Sequence, residues 1–447
     1  MKRQLERPRV AYHARPVSGL LPLLFALALV EASTAGIRMP WASAPWWALG
    51  GVIGGAVLAE VVARWLARRP RAWLDRADVI VQGVVLAAFA WLCLMTGWAR
   101  WAPSPTCALA PWFALQVAWW FSLPVALRGV WTRWGFVVHN LRFGLMPLAL
   151  VLPIADLCDT LGRAWGIDVW IDTHLGRGAN MTGSFLLMAG ILVLLPAVLI
   201  RLWKAKPLED AAVAEDLNAV CRRLGVPVAG ILAWPTAGGR VHNAAVIGLL
   251  PRLRWVLITE DLLHDAGPEG LRAVLGHELG HARHRHLLVY LLFAAVGGMA
   301  SWWLTRWAMV GMDYLALTRD LPPDLRHAVV AVLLLAVIWR GLFGVVSRLC
   351  ERQADLAGVE ATGDHRHLCE ALLVVARGAG TDPKSPSWRH HSIAERIAFL
   401  EAAAVDPALA VAHHRRVRWL VLILALVTAA LGFTLLSTTT FGPPGRL

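Results

Sequence analysis

Residues 276–281 read Gly-His-Glu-Leu-Gly-His, which sets His277 and His281 at i and i+4 with Glu278 between them. On a helix of 3.6 residues per turn those positions share one face, so both imidazoles can be aimed at one ion. Neutral imidazole is a good donor to zinc, at about 2.0–2.1 Å. Glu278 is offset around the helix, where it can face a metal-bound water and serve as its general base; zinc lowers the pKa of such a water towards about 7. The bland alternative is a solvated helix face that happens to hold two histidines.

Catalytic zinc commonly has three protein ligands and one open position for water, so a further donor must come from elsewhere. Glu351-Arg352-Gln353-Ala354-Asp355 again places two acidic side chains at i and i+4. One carboxylate could ligate the metal while the other fixes a ligating histidine through its second ring nitrogen. Taken alone, the segment also reads as a helix end with ordinary charges. His284 and His286 follow the motif; as ligands they would fill the open position, so they read better as polar groups at a membrane interface.

What must position these groups follows from composition. The chain has 447 residues, 57% hydrophobic and only 16% charged, with a mean hydropathy of +0.56. Soluble domains carry about 25% charge and about 45–50% apolar residues. That excess marks an integral membrane protein and excludes a disordered chain, which would be polar. The net charge of +13 resides in cations that bracket apolar runs, as in cytoplasmic loops, and no motif supports nucleic-acid binding. The six cysteines are scattered without a CxxC pair, giving neither a disulfide framework nor a cysteine metal site. The 24 tryptophans suit anchoring at headgroup depth.

With about 20 apolar residues needed per crossing, nine transmembrane helices are predicted, at about 17–37, 44–66, 79–99, 109–128, 143–162, 183–203, 287–310, 328–348 and 417–437. The fifth carries Asp156 and Asp159 near one end. Arginines and lysines concentrate before the first stretch and after the second, fourth and sixth, which places the N-terminus in the cytoplasm. The fold class is therefore mainly α, polytopic: a membrane region over 1–204, a domain over 205–416 that includes two crossings, and a C-terminal crossing and tail over 417–447.

Two polar islands remain, about 204–286 and 349–416, both cytoplasmic in this topology. The first reads as a helix (209–224), strands near 226–234, 241–248 and 255–259, and a helix from Glu269 to His286 behind Pro268. The hairpin of the seventh and eighth crossings brings Glu351 back to the face where His281 emerges, across 70 residues of sequence.

Over roughly 205–400 the chain resembles the membrane zinc metallopeptidases that include HtpX and the type-one CAAX prenyl proteases. His242-Asn243-Ala244 is similar to an Asn-Ala element on the strand before the metal helix; Gly276–His281 is similar to the metal motif and His286 to a histidine often found after it. Glu351–Asp355 resembles the family's ExxAD, and His390-His391-Ser392-Ile393-Ala394-Glu395-Arg396-Ile397 its HPSxxERI, with His391 where the family usually has proline. The resemblance implies a zincin-like α+β peptidase domain holding one Zn2+ per chain. In it Glu351 is the third ligand beside His277 and His281, and Asp355 stands behind a ligand. His390 and Arg396 lie near the oxyanion, and Asn243 lies on the edge strand that receives substrate. It implies an endopeptidase of a bacterial-type inner membrane, its active site cytoplasmic, whose partners are the bilayer and polypeptides, chiefly misfolded or damaged membrane proteins. The alternatives are a dedicated processing protease, including one for prenylated C-termini, and a sensor or scaffold with a structural metal; the presence of Glu278 speaks against the latter, since a structural metal needs no base.

Overall fold

The computed structural model describes residues 26, 29–30, 44–68, 77–123, 132–175, 177–236, 241–314, 326, 330–331, 333–334, 337–379, 381–387 and 389–440. The chain forms two compact units, one of residues 1–205 with 234–241, the other of 206–233 with 242–447.

The first unit is helical: α1 (Ala44–Ala67), α2 (Ala77–Thr96), α3 (Ala110–Ser122), α4 (Arg133–Asn140), α5 (Met146–Ala164), α6 (Ile167–Leu175) and α7 (Arg177–Leu202). Its core gathers Leu66, Phe89, Leu115, Phe136 and three tryptophans, Trp112, Trp119 and Trp120. These tryptophans are core residues, unlike the interfacial anchors expected from composition; Trp46 and Trp165 remain exposed. Buried in the same unit, Gln82 and Gln116 exchange amide hydrogen bonds, the shorter 2.8 Å, which satisfies both polar ends. Asp156, in the predicted fifth crossing, accepts from the Thr106 backbone N–H at 2.9 Å.

Among the described residues two helices are long and apolar enough to cross a membrane, Pro45–Leu66 and His286–Tyr314, with shorter apolar helices at Gln82–Cys93 and Leu186–Leu202. The first predicted crossing, about 17–37, falls almost wholly outside the described residues, as do five residues of the eighth and several of the cations that set the orientation.

The second unit carries the chemistry. It contains β1 (Lys206–Pro207), α8 (Ala211–Arg223), β2 (Gly230–Trp234), β3 (Ala244–Ile247), β4 (Trp255–Thr259), α9 (Glu260–Asp265), α10 (Gly267–Arg283), α11 (His286–Tyr314), α12 (Gly344–Thr362), α13 (His365–Gly378), α14 (Ile393–Val405) and α15 (Pro407–Thr440). Local signals set several starts. Asp210 accepts from the N–H groups of Ala212 and Val213 ahead of α8, and Ser392 with Glu395 forms a capping box ahead of α14, each satisfying amides that a helix start leaves unpaired. Strand order is β1-β2-β4-β3, so β3 is an edge strand. It pairs antiparallel with β4, Ala244 opposite Ile258 and Val246 opposite Val256. Gly248 ends it at φ +102, where a Cβ would lie 1.8 Å from the Leu253 carbonyl oxygen, so a side chain there is excluded both by conformation and by space.

Helix α10 presents three faces. Leu271, Leu275 and Leu279 enter the core with Leu217, Val256 and Ile258, each worth about 1.5–3 kcal/mol when fully buried. Ala273 packs with Leu368, Leu372 and Leu400. Gly276 and Gly280 meet α12 almost backbone to backbone: a Cβ on Gly276 would lie 2.4 Å from the Ala361 Cβ, and one on Gly280 would lie 2.8 Å from the Ala357 Cβ. Gly276→Ala is therefore expected to cost about 1–3 kcal/mol by overpacking and to weaken metal binding by moving α12 outward; thermal unfolding with and without added zinc checks both.

The helix predicted over Glu269–His286 is interrupted. It ends at Arg283, and Arg285 takes the left-handed conformation at φ +54 before α11 starts at His286. That break is what aims the His286 ring back at α10.

Candidate metal centre

Helices α10 and α12, held together by the glycine seam, bring His277, His281 and Glu351 to one point; one donor atom from each lies within 4.8 Å of the others. The His277 and His281 Nε2 atoms are 3.3 Å apart. Glu351 presents Oε2 3.6 Å from the first and Oε1 3.6 Å from the second. Tetrahedral bonds of about 2.0–2.1 Å give donor–donor spacings of about 3.3 Å, so the set fits a four-coordinate zinc with one position left over.

Each donor is held from behind. His277 places Nδ1 2.9 Å from Asp355 Oδ1, and His281 places Nδ1 2.9 Å from His286 Nδ1. Arg396 grips Asp355 with Nε at 2.9 Å from Oδ2 and with Nη2 on Oδ1; its Nη1 lies 4.0 Å from Glu351 Oε2. His390 sits with Nδ1 2.9 Å from Glu351 Oε1.

The charges are set by these contacts. Burial lowers the pKa of His281, and His277 adds to the effect, keeping the ring neutral and its lone pair free for a metal. Burial opposes the charge on Glu351, yet His390, His277 and His281 hold its carboxyl well below the usual range. Burial likewise opposes the charge on Asp355, but Arg396 and His277 bring its pKa down to about 2. Glu278 behaves oppositely: burial, joined by the Glu351 charge, pushes it up to about 7. A carboxylate there is matched to taking and returning a proton near neutrality.

Glu278 accepts a hydrogen bond at 3.3 Å from the Val246 N–H, on edge strand β3. Asn243 stands just before that strand; its carbonyl accepts from the Thr259 N–H and hydroxyl, both at 3.0 Å. His390 is the histidine beside Glu351, with 46% of its side chain exposed; His391, at φ +61, lies instead 3.8 Å from Glu395. Arg396 is on the Nδ1 side of His277, at 3.4 Å, with its fork engaged by Asp355. All eight residues singled out from the sequence thus lie in the second unit.

Sequence reasoning missed two contributors and misplaced a third. The glycines at 276, 280 and 358 were legible as small residues at helical spacing on α10 and α12. His286, expected at the membrane interface, is fully buried. Gln353, hydrogen bonded to it at 3.0 Å, carried no signal beyond lying between Glu351 and Asp355.

The model of peptidase family M48 matches residues 207–404. A protease HtpX homolog of Paenarthrobacter aurescens is 31% identical over 245 residues, 51% of this chain and 80% of that protein. The chain belongs to peptidase family M48. The protease HtpX homolog of Methanocaldococcus jannaschii is 28% identical across 44% of this chain and 73% of its own length. The crystal structure of S. mikatae Ste24p aligns at a TM-score of 0.38 and 17% identity, covering 80% of this chain and 98% of that one. As an M48 protein the chain is a hydrolase of the metalloprotease kind.

Proposed function

We propose that the chain is an integral membrane zinc endopeptidase that hydrolyses misfolded or flexible membrane-associated polypeptides. The observation that carries this reading is the donor triangle of His277, His281 and Glu351, with Glu278 beside it and the edge strand β3 next to Glu278. A zinc ion held by the three donors would supply Lewis acidity and a water of lowered pKa.

The rest is the work of the chain's own side chains. A substrate segment adds to the open edge of β3 beyond Asn243, where main-chain hydrogen bonds give affinity with little side-chain selectivity. That mode of recognition suits extended, unfolded segments. Glu278 takes the proton of the attacking water and passes it to the leaving amine. His390, half exposed and next to Glu351, donates to the oxyanion. Arg396 contributes positive charge nearby while holding Asp355, and Asp355 fixes His277 with Nε2 facing the metal. Nine crossings with the site at the cytoplasmic face complete the reading; the cation distribution in the sequence and the apolar helices Pro45–Leu66 and His286–Tyr314 support it.

The test uses purified full-length protein in detergent with unfolded casein. Degradation is expected to stop on stripping with a chelator and to return on adding zinc in stoichiometric amount. Casein cleavage that survives complete metal removal would overturn the assignment.

A further inference from the structure

We infer that the C-terminal helix α15 takes part in holding the metal: His414 is a positioning residue for His281, acting through Gln353 and His286. This rests on His281 being a ligand, as proposed above. Three contacts make the chain. His281 Nδ1 lies 2.9 Å from His286 Nδ1, His286 Nε2 lies 3.0 Å from Gln353 Oε1, and Gln353 Nε2 lies 2.8 Å from His414 Nδ1.

Chemistry fixes the direction of every bond. A neutral imidazole that gives its Nε2 lone pair to a metal carries its proton on Nδ1. His281 Nδ1 therefore donates, and His286 Nδ1 must accept. That puts the His286 proton on Nε2, which donates to the Gln353 carbonyl oxygen. The Gln353 amide then has its NH2 facing His414, whose Nδ1 accepts. The orientation of the Gln353 amide in the structure is the one this sequence of tautomers requires.

The arrangement is built, since His286 is fully buried and Gln353 nearly so. The last link is anchored by its neighbour: His413 Nε2 lies 2.9 Å from the Leu349 carbonyl oxygen of α12, which pins α15 two residues from Glu351. The two histidine ligands are thus supported differently, His277 by a carboxylate and His281 by a neutral relay that ends on α15. His414 lies beyond the residues 207–404 matched by the family model.

The test is metal binding by the full-length protein in detergent, stripped and then titrated with zinc against a chromophoric chelator, and separately with cobalt for its visible ligand-field spectrum. Gln353→Met, similar in size but unable to bond His286 or His414, is expected to weaken zinc about tenfold, within the range for partners of metal ligands. His414→Leu is expected to weaken it about threefold to tenfold and to shift the cobalt band. His414→Asn, whose amide oxygen stands where Nδ1 stood, is expected to stay within about twofold of wild type. Wild-type affinity and an unshifted band in both Gln353→Met and His414→Leu would overturn the relay, as would equal loss in His414→Leu and His414→Asn. His281→Ala separates this from the reading beneath it: if that variant binds zinc like the wild type, His281 is no ligand and the site assignment itself fails.

Discussion

Replacing Glu278 with glutamine is expected to lower casein hydrolysis by about 10²–10⁴-fold, the usual contribution of a positioned base, while zinc still binds. Glutamine keeps an oxygen that can accept from the Val246 N–H, as the carboxylate does at 3.3 Å, so strand and helix stay in place. What it loses is the ability to take a proton. The native carboxyl is tuned for that task, because burial and the neighbouring Glu351 raise it to about 7. Zinc content measured beside casein turnover separates loss of the base from loss of the site. Glu278→Gln turning over casein at the wild-type rate would remove Glu278 from the mechanism.

The second large effect is expected from Asp355→Ala, on stability and on metal binding together. Asp355 is fully buried and is the partner of both Arg396 and His277. Truncating it leaves a buried guanidinium without its counter-charge, which costs about 3–5 kcal/mol in comparable pairs. The stranded Arg396 would turn to the carboxylate already 4.0 Å away, Glu351, and so compete with the metal for it. Removing the stranded cation as well, in Asp355→Ala with Arg396→Met, is expected to recover most of the stability but not the zinc affinity, since His277 still lacks its orienting partner. Urea unfolding in detergent and chelator competition read the two effects. If the single variant is as stable as wild type, the buried pair is not what holds α12 to α14.

These expectations rest on different depths of information. The histidines at 277 and 281, their glutamate, and the carboxylates at 351 and 355 were legible because helical periodicity is a local property: i and i+4 meet whatever the rest of the chain does. Pro268 and the strand at Trp255–Thr259 were legible for the same reason. The end of α10 was not. A left-handed arginine at 285 has no strong sequence signature, and Arg285 broke a helix predicted to run through His286. The tryptophan count could not say which rings would anchor and which would pack, because burial of Trp112, Trp119 and Trp120 depends on neighbouring helices.

By itself, then, the sequence determined the apolar character of the chain, the local faces of its metal helices and the kinds of donor available, all of which depend on side-chain chemistry and short-range spacing. Only the tertiary structure decided that Glu351 and Asp355 meet opposite ring nitrogens of His277, that Glu278 bonds the Val246 N–H of edge strand β3, and that His286, Gln353 and His414 line up behind His281. Each of those depends on how closely two segments distant in sequence approach. Here that distance is set by glycines that let α10 and α12 touch along their backbones.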